Sequence, residues 1–187
     1  MICGIDEAGR GPLAGPVCAA AVILPDDFNR ELLNDSKKMT PHKRHEARRV
    51  ICTEAVAWGV GWASHIEIDN INILQASLLA MKRAFEEMMK NTALPKQAEI
   101  SAIVDGTFAP NISVPCTAMV KADAKVHEVM AASILAKTAR DRYMEHMSCL
   151  YPQYSYERHK GYPTRAHREL VLKYGPSPIQ RLSFTVR

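Results

Sequence analysis

The stretch Val17-Cys18-Ala19-Ala20-Ala21-Val22-Ile23-Leu24 constrains the fold more than any other part of the chain. It is uncharged and does not alternate apolar with polar residues, so as a strand it must be covered by protein on both faces. A chain of 187 residues with 47% hydrophobic content can build that double covering. Ile2 to Asp6 reads as a shorter strand before it, and Gly9 to Pro16, rich in glycine and proline, as the turn between the two.

Asp35-Ser36-Lys37-Lys38-Met39-Thr40-Pro41 carries helix-start chemistry. Thr40 suits an N-cap and Pro41 the first helical position, which predicts a basic helix to about Ala55. Val56 to Ser64, with Gly59 and Gly61 inside it, reads as a third strand, and the short connections are compatible with antiparallel pairing of these three. From Ile66 to about Lys90, Ile73, Leu74, Leu78, Met81, Phe85, Met88 and Met89 recur at helical spacing, after an interruption at Asp69-Asn70-Ile71-Asn72. Glu99 to Asp105 and Ser113 to Val120 are further strands. Ala124 to Cys149 is a long helix with Val126, Met130, Ile134, Met144 and Met147 inward and Lys137, Arg140 and Asp141 outward. After Tyr151-Pro152 the chain is loop-like until a last helix from Thr164 to Tyr174. This order predicts an α/β fold, one mixed five-stranded sheet flanked by helices, with residues 1–187 as one domain and 151–187 as its C-terminal loop and helix.

No apolar run approaches the ~20 residues that cross a bilayer, and the start lacks the pattern of a secretory signal. The five cysteines are scattered, without a C-x-x-C pair, which argues against a disulfide framework or zinc site and fits the cytoplasm. The net charge of +4 tolerates a polyanionic partner without demanding one. Taken singly, each basic cluster reads as a solvated helix face, and His127, His146, His159 and His167 read mostly as surface residues.

Four acids stand at element boundaries: Asp6 and Glu7 end the first strand, Asp105 ends the fourth, and Asp123 lies between the fifth strand and the long helix. Each alone is ordinary turn or cap chemistry. If the first and fourth strands are neighbours, however, Asp6 and Asp105 meet at one sheet end, where open α/β sheets place ligands. Crowded carboxylates either hold protons or bind a hard divalent cation, and this set suits Mg²⁺ or Mn²⁺. Next to the pair, Gly9 and Gly11 allow close backbone approach to a ligand, and Arg10 offers donors suited to phosphate.

Longer blocks carry a resemblance. Asp6-Glu7-Ala8-Gly9-Arg10-Gly11-Pro12-Leu13-Ala14-Gly15-Pro16-Val17, Asp35-Ser36-Lys37-Lys38, Val104-Asp105-Gly106, Ala131-Ala132-Ser133-Ile134-Leu135-Ala136-Lys137 with Arg140-Asp141, and His159-Lys160-Gly161-Tyr162-Pro163-Thr164 resemble, in order, the ribonuclease HII family. One departure is Ala122, where the family often has glycine before its last acid. The resemblance implies a ribonuclease H-like fold and hydrolysis, dependent on Mg²⁺ or Mn²⁺, of the RNA strand of RNA–DNA hybrids. Incision at single ribonucleotides in duplex DNA is implied as well. It makes Asp6, Glu7, Asp105 and Asp123 the metal-binding carboxylates, Gly9, Arg10 and Gly11 the turn that contacts the 2′-hydroxyl region, and Tyr162 the tyrosine that packs on the adjoining nucleotide. Two cations about 4 Å apart are expected, with a 5′-phosphate and a 3′-hydroxyl as products. Lys37, Lys121, Lys160 and Arg165 are expected to contact phosphates. A monomer is the default, and contact with a replication clamp is left open. The rival readings are a junction-cleaving nuclease of similar fold and a hybrid-binding module without turnover.

Overall fold

A single sheet organises the computed structural model, which describes residues 1–34, 36, 38–92, 94 and 98–185. Its strands are β1 (Ile2–Ala8), β2 (Val17–Ile23), β3 (Ala57–Ala63), β4 (Ser101–Asp105) and β5 (Cys116–Met119), in the spatial order β3-β2-β1-β4-β5. The first three pair antiparallel, while β4 runs parallel to β1 and β5 parallel to β4, so the sheet is mixed as expected. The helices are α1 (Pro41–Glu54), α2 (His65–Lys90), α3 (His127–Leu150), α4 (Tyr156–His159) and α5 (Arg165–Tyr174).

All of β2 is buried, and its side chains divide between two cores. Val17, Ala19, Ala21 and Ile23 pack with Ala80, Ala84 and Phe85 of α2. Ala20 and Val22 face Ala131, Ile134 and Leu135 of α3, with Ala47 and Ile51 of α1. The alanine content of β2 follows from this double covering, because small side chains let both helices lie close to the sheet. Gly61 in β3 answers the same need: a Cβ there would stand 2.2 Å from the Ala80 carbonyl oxygen in α2.

Local caps place the helices. Thr40 accepts from the Lys43 N–H with Pro41 following, and Ser64 forms a capping box with Glu67 at the start of α2. The interruption read at residues 69–72 is a kink at Asn72 (φ 66°), whose Oδ1 accepts from the Leu74 and Gln75 N–H groups and so recaps the helix.

Several expectations need correction. The long helix begins at His127 rather than Ala124, because Ala122–Ala124 forms a 3₁₀ turn after Lys121, which adopts a left-handed conformation (φ 58°). The loop after Tyr151 contains a 3₁₀ turn, Pro152–Tyr154, and the short α4. Arg140, expected on the outer face of α3, is 1% exposed, because the carbonyl-rich turn 9–16 and the 160 region pack over that face. His159 and His167 are buried rather than on the surface; their rings stack at 4.4 Å within an aromatic cluster that includes Tyr156. The C-terminal segment packs on the domain: Gln180 bridges to Ala14, and the Asp69 carboxylate accepts from the Leu182 and Ser183 N–H groups.

Candidate active site

Parallel pairing of β1 with β4 sets Ile5 opposite Val104, so the next residues, Asp6 and Asp105, stand side by side at the same sheet end. Asp105 Oδ1 accepts the Ala122 N–H at 2.8 Å, which draws the 3₁₀ turn and Asp123 onto the strand end. Side-chain oxygens of Asp6, Asp105 and Asp123 lie within 4.8 Å of one another. Three carboxylates separated by as many as 117 positions in sequence are thereby brought together.

Asp6 is the buried member, 5% exposed. Burial, followed by the negative charges of Glu7 and Asp105, pushes its pKa well above the usual carboxylate range, while the Ser133 hydroxyl and the Glu7 N–H, 2.7 Å from Oδ1, pull it back. Glu7 stands beside the trio rather than within it. Its Oε1 accepts from Arg10 Nη1 at 3.4 Å, and its Oε2 is buried without a hydrogen-bond partner among the described residues. Burial raises the Glu7 pKa, Arg10 lowers it, and Asp105 raises it. Oxygen donors alone, crowded and partly desolvated, with one buried oxygen unpartnered, fit a hard divalent cation of the Mg²⁺ or Mn²⁺ kind.

The glycine turn borders a cavity of about 220 Å³ lined by Glu7, Gly9, Gly11, Ser36, Ser133 and Tyr162, among others. Gly9 has φ +97°, and a Cβ on it would overlap Arg140 Nε at 2.0 Å, so both conformation and packing require glycine. Gly11 differs. Its φ is not positive, and a Cβ would meet only Tyr162 Cε1, at 3.8 Å; what it would occupy is the cavity. Tyr162 is 39% exposed at the rim, with Lys137 Nζ 6.0 Å from its ring centre. Ser36 and Ser133 share a 2.8 Å hydrogen bond at the cavity wall, which links the loop before α1 to the residue that also holds Asp6.

The four basic residues expected to contact phosphates are placed less uniformly. Lys121 is exposed beside Ala122 and Asp123. The Lys160 ammonium is held by Glu145 Oε1 at 2.9 Å and the Glu157 carbonyl at 2.7 Å, and exposed Arg165 pairs with Glu169 at 2.7 Å. Lys37 lies outside the described residues. Ser36, Ser133 and Lys137 were not singled out as site residues, although they sit inside the quoted blocks; their side-chain types gave no signal apart from those blocks. Buried Arg181 was not singled out either, and nothing in the sequence around it distinguishes it from a surface arginine.

A carboxylate cluster at the end of a mixed five-stranded sheet, beside a glycine turn, defines the class as an α/β protein with a site for hard divalent cations. The profile of the ribonuclease HII family matches residues 3–187. Ribonuclease HII of Treponema denticola is 57% identical, over 100% of this chain and 99% of its own, and that of Chlorobium luteolum is 50% identical, over 100% and 89%. Among solved structures, ribonuclease H2 from Pyrococcus horikoshii OT3 superposes with a TM-score of 0.73 at 25% identity, covering 99% of this chain and 94% of that one. Bst-RNase HIII in complex with Mn²⁺ superposes at 0.77 with 18% identity, covering 99% and 67%. The chain belongs to the ribonuclease HII family, and with it to the ribonucleases H, nucleases that act on RNA–DNA hybrids.

Proposed function

We propose that the protein, acting as one catalytic domain over residues 1–187, is an endonuclease that incises at single ribonucleotides in duplex DNA as well as along RNA–DNA hybrids. Two divalent cations would be held by Asp6, Glu7, Asp105 and Asp123, with 5′-phosphate and 3′-hydroxyl products. The observation that carries this reading is the convergence of Asp6, Asp105 and Asp123 oxygens within 4.8 Å in a chain of this family. Bound cations of this class would lower the pKa of an attacking water and offset charge on the departing oxygen.

The chain's own groups supply the remaining tasks. Asp6, desolvated and next to the charges of Glu7 and Asp105, is the carboxylate that a bound cation would relieve most. Glu7 adds a buried Oε2 that has no hydrogen-bond partner among the described residues and would be available to the same charge. The Gly9–Gly11 turn brings peptide groups to the ribose, where the 2′-hydroxyl separates RNA from DNA, and Tyr162 packs on the neighbouring sugar or base. Lys37, Lys121, Lys160 and Arg165 hold phosphates, a contribution that weakens with added salt. A cytoplasmic setting is supported by five unpaired thiols, and no helix among the described residues is long and apolar enough to cross a membrane.

One gel assay tests the reading. A duplex with one embedded ribonucleotide, a long hybrid and an all-DNA duplex are incubated with Mg²⁺, Mn²⁺ or chelator. Both ribonucleotide-bearing substrates are cut only with metal, and Asp6→Asn loses nearly all turnover. Cutting of the all-DNA duplex, or Asp6→Asn activity within a few-fold of wild type, rejects it.

A further inference from the structure

Two arginines lie directly beneath the glycine turn, and neither pairs with a carboxylate among the described residues. Arg140 and Arg181 are 1% and 0% exposed. Their donors go to main-chain carbonyls. Arg181 Nη2 reaches the Gly9 oxygen at 2.6 Å and the Pro16 oxygen at 3.2 Å, Nη1 the Arg10 oxygen at 2.9 Å, and Nε the Gly15 oxygen at 2.8 Å. Arg140 takes the carbonyls of Pro16, Ala14 and Lys160, at 2.9, 3.0 and 2.9 Å. Arg181 is itself tied down, since its N–H donates to the Leu13 carbonyl at 2.8 Å and its guanidinium lies 5.1 Å from the Phe184 ring centre.

Burying two neighbouring cations whose hydrogen bonds go to neutral carbonyls is expensive, and a turn that needed only stability could be held by a backbone ladder instead. The consequence of this arrangement is directional. In a trans peptide the C=O and the following N–H point to opposite sides. Drawing the Gly9 and Arg10 carbonyls inward onto Arg181 therefore sends the Arg10 and Gly11 N–H groups outward. Gly9, Arg10 and Gly11 line the cavity, and neither N–H has an acceptor among the described residues.

We propose that Arg181, supported by Arg140, is a positioning residue for ribonucleotide recognition: its guanidinium fork aims the Arg10 and Gly11 peptide N–H groups into the cavity beside Ser36, Ser133 and Tyr162. This rests on the reading that the turn contacts the ribose. The fork's geometry is essential to it, because four carbonyls are bound by donors on three different nitrogens. A lysine keeps the charge but concentrates its donors on one atom, so it cannot hold Gly9, Arg10 and Gly15 together. The C-terminal segment thereby enters the specificity of a site formed at the other end of the chain.

The test uses Arg181→Lys in the full chain. Equilibrium binding, with Ca²⁺ as a candidate non-catalytic cation, is measured for a labelled duplex with one ribonucleotide and for the all-DNA duplex, and the two dissociation constants are compared as a ratio. Loss of folded protein scales both alike and cancels. The expected result is a fall of about tenfold in the wild-type preference, one hydrogen bond's worth, with far-UV circular dichroism and the Mn²⁺-induced melting shift unchanged. A folded Arg181→Lys with wild-type preference overturns the inference. If Arg181→Lys does not fold, Asp69→Ala takes its place, since it frees Leu182 and Ser183 without touching the fork; a reduced preference is expected, and an unchanged one again overturns it. A wild type that binds both duplexes alike and leaves the ribonucleotide uncut instead defeats the proposed function itself.

Discussion

Asp105→Asn should make the metal-free protein more stable and the metal-loaded protein less so. The substitution removes one negative charge from the trio but keeps a carbonyl oxygen to accept the Ala122 N–H, 2.8 Å away in the native site. At the 4.8 Å that bounds the trio's oxygens, two full charges repel by about 3.5 kcal/mol at an effective dielectric constant of ~20. Asp105 is only half-buried, and solvent screening offsets part of this, so the net gain without metal is about 1–3 kcal/mol. For a chain of this size that is a rise of roughly 2–4 °C in Tm per kcal/mol. With Mg²⁺ or Mn²⁺ the order reverses, because the wild type gains about 2.7 kcal/mol at a hundredfold excess over Kd and the variant far less. Thermal unfolding in chelator and in either metal measures both. A variant that melts below wild type in chelator, or that shifts as much as wild type with metal, would refute the claim that these carboxylates form one repulsive, cation-binding cluster.

Gly11→Ala adds a methyl that meets only Tyr162, so stability should change by less than about 0.5 kcal/mol. Cleavage at an embedded ribonucleotide should fall at least ~10-fold, since the methyl enters the cavity; equal cleavage would remove Gly11 from the substrate surface. Gly61→Ala should cost about 3 kcal/mol or more in urea unfolding, because the new Cβ collides with the α2 backbone. His167 couples stability to acid. Burial and the adjacent His159 depress its pKa from 6.5 to about 4, so the folded chain binds fewer protons than the unfolded one across that interval. The contribution is whole above pH 6.5 and is lost as pH falls toward 4, by at most ~3 kcal/mol. Denaturant titrations over that range should show the slope, and His167→Phe should flatten it.

Much of the frame was legible in the sequence because burial on two faces leaves a plain record. Val17 to Leu24 could only be an interior strand, and acids at the ends of Ile2–Asp6 and Glu99–Asp105 meet once those strands are neighbours. The Asn72 kink was visible as a polar break in an apolar period. Arg140 was misread because helical periodicity assigns a face by polarity, and here the face is covered by main-chain carbonyls, which an arginine satisfies as well as water does. Arg181 and the stacked His159 and His167 were hidden for the same reason: their partners are backbone oxygens and rings, which leave no complementary charge in the sequence. Asp123 was recognised as a boundary acid, but its route into the site, through a 3₁₀ turn after left-handed Lys121, depends on a hydrogen bond to Asp105 that no local pattern announces.

The β1–β4 pairing has a consequence for how the protein is made. Residues 6 and 105 become neighbours only through a parallel contact that spans β2, α1, β3 and α2, and such long-range closures form slowly in folding. A growing polypeptide on the ribosome exposes its first acidic pair long before Asp105 and Asp123 have been synthesised. An incomplete chain therefore has no assembled carboxylate centre, and nucleolytic capacity waits for the sheet to close.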